Sequence, residues 1–91
     1  MWEDRRQHID PRRIAHLWAQ VAADLRTEIS TGRLDDGQRL PAEPDLASIY
    51  GVSRATIRRA LGVLIDEGLL SRLTGRGTFV TPAADRPQRH D

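Results

Sequence analysis

Gly51-Val-Ser-Arg-Ala-Thr-Ile-Arg-Arg-Ala-Leu61 carries the strongest structural signal in the chain. Gly51 ends one short helical segment, and Ser53 opens the next, because a serine hydroxyl satisfies an otherwise orphaned amide in a first turn. Ile57, Leu61, Leu64 and Ile65 recur at helical spacing and can anchor this helix to a core. Arg54 and Arg58 stand four residues apart, so both guanidinium groups leave the same side of its first turns. A helix braced from behind, with arginines and small polar residues at its free N-terminal end, has the form that enters a DNA major groove.

Reading backwards, residues 42–50 make a short second helix with Leu46, Ala47 and Tyr50 facing inward. Pro44 is tolerated there because its missing N–H falls in the first turn. Ile14, Leu17, Trp18, Val21, Leu25 and Ile29 follow a 3.6-residue period, placing a first helix over about residues 13–31, ended by a left-handed Gly32. Arg33 to Gly37 is a turn-rich connection, and Gln38-Arg-Leu40 can supply a very short edge strand before Pro41.

Reading forwards, the third helix runs from its Ser53 cap to about Glu67 and stops at Gly68. Residues 69–73 and 77–81 are strand-like and separated by Thr74-Gly-Arg-Gly77, a hairpin. The expected fold is mainly α with a small β-hairpin: a winged helix-turn-helix of three helices plus a wing. Residues 1–13 read as an N-terminal arm, 14–81 as the winged domain, and 82–91 as a flexible, polar, proline-containing tail.

Ninety-one residues with a net charge of +1 make one small domain. The charge is uneven: residues 1–51 balance to −2 and residues 52–91 to +3. Every cation is arginine, suited to bidentate phosphate and guanine contacts, although GC-rich codon usage explains the same bias. The absence of cysteine excludes disulfides and cysteine-ligated metal sites. No apolar run reaches the roughly 18 residues of a membrane span, and the first residues lack a secretion signal, so a cytoplasmic location is expected.

Catalysis finds no support. Asp35-Asp36 and Asp66-Glu67 are adjacent in sequence and not preset to converge on one substrate atom. His8, His16 and His90 lack ligand spacing, so no metal site, cofactor or catalytic set is expected. The wing is more informative. Glycines on both sides free Arg76 at a loop tip, where it can enter a narrow minor groove. A generic hairpin with a solvated charge is the plain alternative. Arg59 points away from the apolar stripe and is equally a phosphate contact or a solvated side chain.

Gly37-Gln-Arg-Leu-Pro-Ala-Glu43, Leu46-Ala47, Gly51-Val-Ser-Arg54, Thr56-Ile-Arg58, Glu67-Gly-Leu69 and Gly75-Arg-Gly-Thr-Phe-Val80 resemble the N-terminal domain of GntR-type bacterial transcription regulators. The Tyr50-Gly-Val-Ser-Arg54 phrase and the wing are most similar to the HutC branch. The resemblance spans about residues 14–81. It implies a winged helix binding palindromic operators as a dimer, with Ser53, Arg54, Thr56 and Arg58 touching bases and phosphates. It also implies that Gly75 and Arg76, flanked by Thr74, reach the minor groove.

Two positions depart from that pattern. Pro44 stands where the family often has a phosphate-binding arginine. Ala55 replaces a polar residue, leaving a methyl that can meet a thymine methyl. Family members also carry a C-terminal effector-binding and dimerisation domain, whereas this chain stops about ten residues beyond the wing. Met1 and the arm favour a stand-alone small regulator over a fragment. The expected partner is double-stranded DNA, read as an inverted repeat by a homodimer formed through the arm (Trp2, Ile9) or helix one. No small-molecule effector is expected in this chain. The alternatives are a winged helix used for protein–protein assembly, or an architectural or accessory DNA-binding protein.

Overall fold

The apolar periodicity and the glycine breaks translate directly into elements. In a computed structural model, which describes residues 2–87, helix α1 spans Leu17–Ser30, α2 Glu43–Tyr50 and α3 Arg54–Asp66. Strands β1 (Leu70–Leu73) and β2 (Gly77–Val80) pair antiparallel with Leu70 opposite Val80 and Leu73 opposite Gly77. The Gln38–Leu40 segment joins β2 as a third, minimal rung. Arg39 bridges Phe79, and the Leu40 N–H donates to the Thr78 carbonyl at 2.8 Å.

One core lies beneath all of this. Val21, Leu25 and Ile29 of α1, Leu46 and Tyr50 of α2, and Ile57, Leu61 and Leu64 of α3 are buried together. Leu34, Leu40, Leu70 and Val80 close it from the connection and the hairpin. At roughly 1.5–3 kcal/mol per buried large aliphatic side chain, this stripe is what fixes the back of α3.

Local signals set the α2–α3 turn. Gly51 sits at φ 66°, where a side chain is disfavoured, and the Val52 N–H reaches back to the Ala47 carbonyl at 3.0 Å. The Ser53 hydroxyl then accepts the Thr56 amide at 3.0 Å and donates to the Thr56 hydroxyl at 2.9 Å. Removal of this cap by Ser53→Ala is expected to lower unfolding free energy by about 1 kcal/mol. A urea titration checks this; an unchanged midpoint would show that the cap contributes nothing.

The first helix differs from expectation at its start. Residues Ile14–His16 form a tighter 3-10 turn, and the α-helix begins only at Leu17. Three residues per turn break the 3.6-residue register, so Ile14 leaves the apolar stripe and is 74 % exposed. Trp18 is half-buried against the core.

The arm does more than precede the domain. Trp2 and Ile9 pack partly buried on the core, and Arg6–His8 form a 3-10 turn. The Arg5 N–H donates to the Ile49 carbonyl at 2.8 Å, and its side chain enters a buried polar cluster. Arg5 Nε donates to Asp24 Oδ2 at 2.7 Å and Nη2 donates to Glu28 Oε1 at 3.1 Å. The Tyr50 hydroxyl donates to the same Asp24 oxygen at 2.6 Å, and His8 Nδ1 lies 2.6 Å from the other.

Burial pushes the Asp24 carboxyl up, but hydrogen bonds from Arg5, Tyr50 and His8 outweigh it and hold the group below its ordinary value. The same burial, reinforced by Asp24, pushes the Tyr50 phenol well up. Beside the cluster, the Arg6 stem lies flat on Gly51, where an added Cβ would stand 2.8 Å from its Cγ.

At the other end, Ala83–Asp85 make a 3-10 turn, and Arg86 donates to the Thr81 carbonyl and to Asp36 Oδ1. Residues 82–87 therefore have defined contacts. The remainder of the expected tail, with His90, lies outside the described residues.

Candidate nucleic-acid interface

The free face of α3 begins at its cap. Ser53, Arg54, Ala55 and Arg58 are exposed and Thr56 half-exposed, while Ile57, Ala60 and Leu61 behind them are buried. Among the described residues, no hydrogen bond or ion pair holds the Arg54 side chain. Arg58 is different. Its Nε and Nη2 both approach Glu43 Oε1, at 3.4 and 3.2 Å, tying α3 to the first residue of α2. Arg72 of β1 stands 4.0 Å from the other oxygen of the same carboxylate.

Arg59, one residue on, turns about 100° around the helix axis. Its guanidinium lies over the Trp18 ring, 4.3 Å from the centroid, bracing α3 on α1 by a cation–π contact. At the far end of α3, Arg26 grips Glu67 through two hydrogen bonds of 2.9 and 2.7 Å. That pairing gives Glu67, at the electrostatically unfavourable end of the helix, a structural occupation.

The wing tip is formed by Thr74, Gly75 and Arg76, all exposed. The Arg76 N–H closes the turn on the Leu73 carbonyl at 2.9 Å, with Gly75 at φ 78°. The Arg76 side chain carries no partner among the described residues. Gly77 is favoured by its φ of 118°, and a Cβ there would stand 2.9 Å from Arg39 Nε, so the arginine would have to shift. Arg39 therefore lies across the base of the wing. Between wing and α2 runs an open groove of about 390 Å³ whose charged lining is Arg39, Glu43 and Arg72.

The α3 end and the wing tip named from the sequence are exposed, but the contacts that link them to other elements have no sequence signal. Glu43, 15 residues before Arg58, and Trp18, 41 before Arg59, have no local signature that pairs them with these arginines. Among the described residues there is no group of three acids, histidines or cysteines that could hold a metal ion, and no helix long and apolar enough to cross a membrane.

Three helices, a glycine turn before α3 and a two-stranded hairpin define a winged helix-turn-helix. The family model described as bacterial regulatory proteins, gntR family, matches residues 17–80, and the chain belongs to that family. The transcriptional repressor NagR of Bacillus subtilis is 46 % identical over 65 residues, which cover 71 % of this chain and 27 % of that protein. The mannosyl-D-glycerate transport/metabolism system repressor MngR of Escherichia coli is 41 % identical over 64 residues, again 27 % of its length. The chain thus spans about a quarter of these curated relatives.

Among solved structures, AraR(DBD) in complex with operator ORX1 superposes with a TM-score of 0.68 at 42 % identity. The match covers 70 % of this chain and 77 % of that one. The GntR-family transcription factor YtrA from Sulfolobus acidocaldarius gives 0.67 at 32 % identity, covering 71 % and 68 %.

Proposed function

We propose that this chain binds double-stranded DNA sequence-specifically and serves in transcription regulation, acting as a repressor by occupying its operator. The observation that carries the proposal is the exposed Ser53–Arg58 end of α3, backed by wholly buried Ile57 and Leu61 and bearing an Arg54 that is unengaged among the described residues. The relatives support it: NagR and MngR are repressors, and the AraR domain of the same fold was solved on operator DNA.

In this reading α3 enters the major groove. Arg54 and Arg58 meet guanine edges, and Ser53 and Thr56 meet phosphates and bases. Ala55 offers its methyl to thymine. Arg59, exposed over Trp18, adds a phosphate contact, and Thr74, Gly75 and Arg76 approach the minor groove. Two copies bind one inverted repeat. Because Trp2 and Ile9 pack on their own core, helix one is the better candidate for contact between the copies.

Selection of duplexes from a random pool tests this. An enriched inverted repeat is expected, bound with affinity that falls on the order of 100-fold between 50 and 200 mM salt if about four phosphates are neutralised. Failure to bind any duplex at low salt would overturn the proposal and favour a protein-docking role for the arginine face.

A further inference from the structure

An acid on a surface that meets phosphates weakens binding to every sequence, so its presence there calls for a compensating role. Glu43 is such an acid. It is the first residue of α2, less exposed than either arginine it faces, and its two oxygens point at Arg58 from α3 and Arg72 from β1. No comparable partner engages Arg54 or Arg76 among the described residues.

The geometry with Arg58 is one-sided. Glu43 Oε1 takes the Nε and Nη2 edge of the guanidinium, and Nη1 makes no contact with it. A planar guanidinium has two usable edges, and holding one orients the other. Arg58 would otherwise spread over many rotamers, and a flexible cation finds phosphates of any sequence as readily as a guanine.

We infer that Glu43 is a positioning residue that presents the free edge of Arg58 to the bases, and that it sets the preference for operator over random DNA. This rests on the proposed reading of α3. The negative charge supports discrimination in a second way, since it offsets non-specific attraction by Arg58 and Arg72. Its effect therefore has a signature that a purely structural contact lacks: discrimination and general affinity move in opposite directions.

The test titrates wild type and variants with two labelled duplexes of equal length, the selected operator and a random sequence. Glu43→Ala is expected to bind the random duplex more tightly and to reduce the ratio of operator to random affinity about 5-fold, the scale of one partly exposed ion pair. Glu43→Asp keeps the charge at the helix N-terminus but withdraws it by one methylene, and is expected to lose a similar share of the ratio. Glu43→Gln keeps the reach and an acceptor oxygen but not the charge, and is expected to bind the random duplex more tightly than wild type while keeping more of the ratio than Glu43→Asp.

Should Glu43→Ala fail to fold, the comparison of Asp with Gln decides. Wild-type ratios in Glu43→Ala and Glu43→Asp, alongside a collapsed ratio in Arg58→Ala, would overturn this inference alone. Equal losses on both duplexes would also overturn it, by showing a structural role. A wild-type ratio in Arg58→Ala would overturn the inference by leaving Glu43 nothing to position, and a wild-type ratio in Arg54→Ala as well would remove the α3 reading with it.

Discussion

Arg54→Ala is expected to weaken binding to the selected operator by about 10- to 100-fold, as loss of one bidentate arginine–guanine pair implies. The residue follows the Ser53 cap, so it occupies the most advanced turn of α3, and no side chain of the described residues holds it back. Because it is exposed and without a partner among the described residues, its removal should leave the unfolding free energy within about 0.5 kcal/mol of wild type. The two readouts together make the result specific. Arg58→Ala should weaken operator binding as well, but it also leaves Glu43 with Arg72 alone, so its loss mixes a missing contact with a less neutralised acid. Wild-type operator affinity in both variants would show that α3 does not read the duplex.

Arg5→Ala is expected to cost about 3 kcal/mol of stability, near the lower end for breaking a buried ion pair from one side. The cost arises from what stays behind. Asp24 and Glu28 have side chains only 13 % and 5 % exposed, and both lose their principal cationic partner. Arg33, 3.5 Å from Glu28, and the Tyr50 hydroxyl on Asp24 moderate the loss.

The effect should depend on pH with a definite sign. A carboxyl held below its ordinary value in the folded state contributes stability that is present above pH about 4 and is lost as pH falls through the folded value. The wild-type advantage over Arg5→Ala should therefore be full at pH 7 and shrink below pH about 4. Urea denaturation of both proteins at pH 7 and pH 3 measures this. Equal stabilities at pH 7 would mean that the arm does not lock onto the domain.

These expectations show where sequence reasoning reaches and where it stops. The caps and breaks around α2 and α3 were legible because Gly51, Ser53 and Gly68 act within one turn of themselves. The burial of Ile57, Leu61 and Leu64 followed from spacing along one helix. Ile14 was misplaced because apolar periodicity does not reveal a switch from α to 3-10 winding.

The Arg5 cluster was invisible for a different reason. Its contacts join the arm, α1 and α2 across separations of 16 to 26 residues, and an ion pair at such separation leaves no repeat to read. The same holds for the link from Glu43 to Arg58. Side chains that touch the solvent were found by type, whereas side chains that touch each other across elements needed coordinates.

Gly51 answers two demands with one missing atom. Its backbone must bend left-handed to launch α3, and its bare surface must leave a seat for the Arg6 stem. Any larger residue would disturb both the hinge and the N-terminal strap in one stroke. The arm and the α2–α3 turn therefore meet at Gly51, in addition to the arm's hold on Ile49, Asp24 and Glu28.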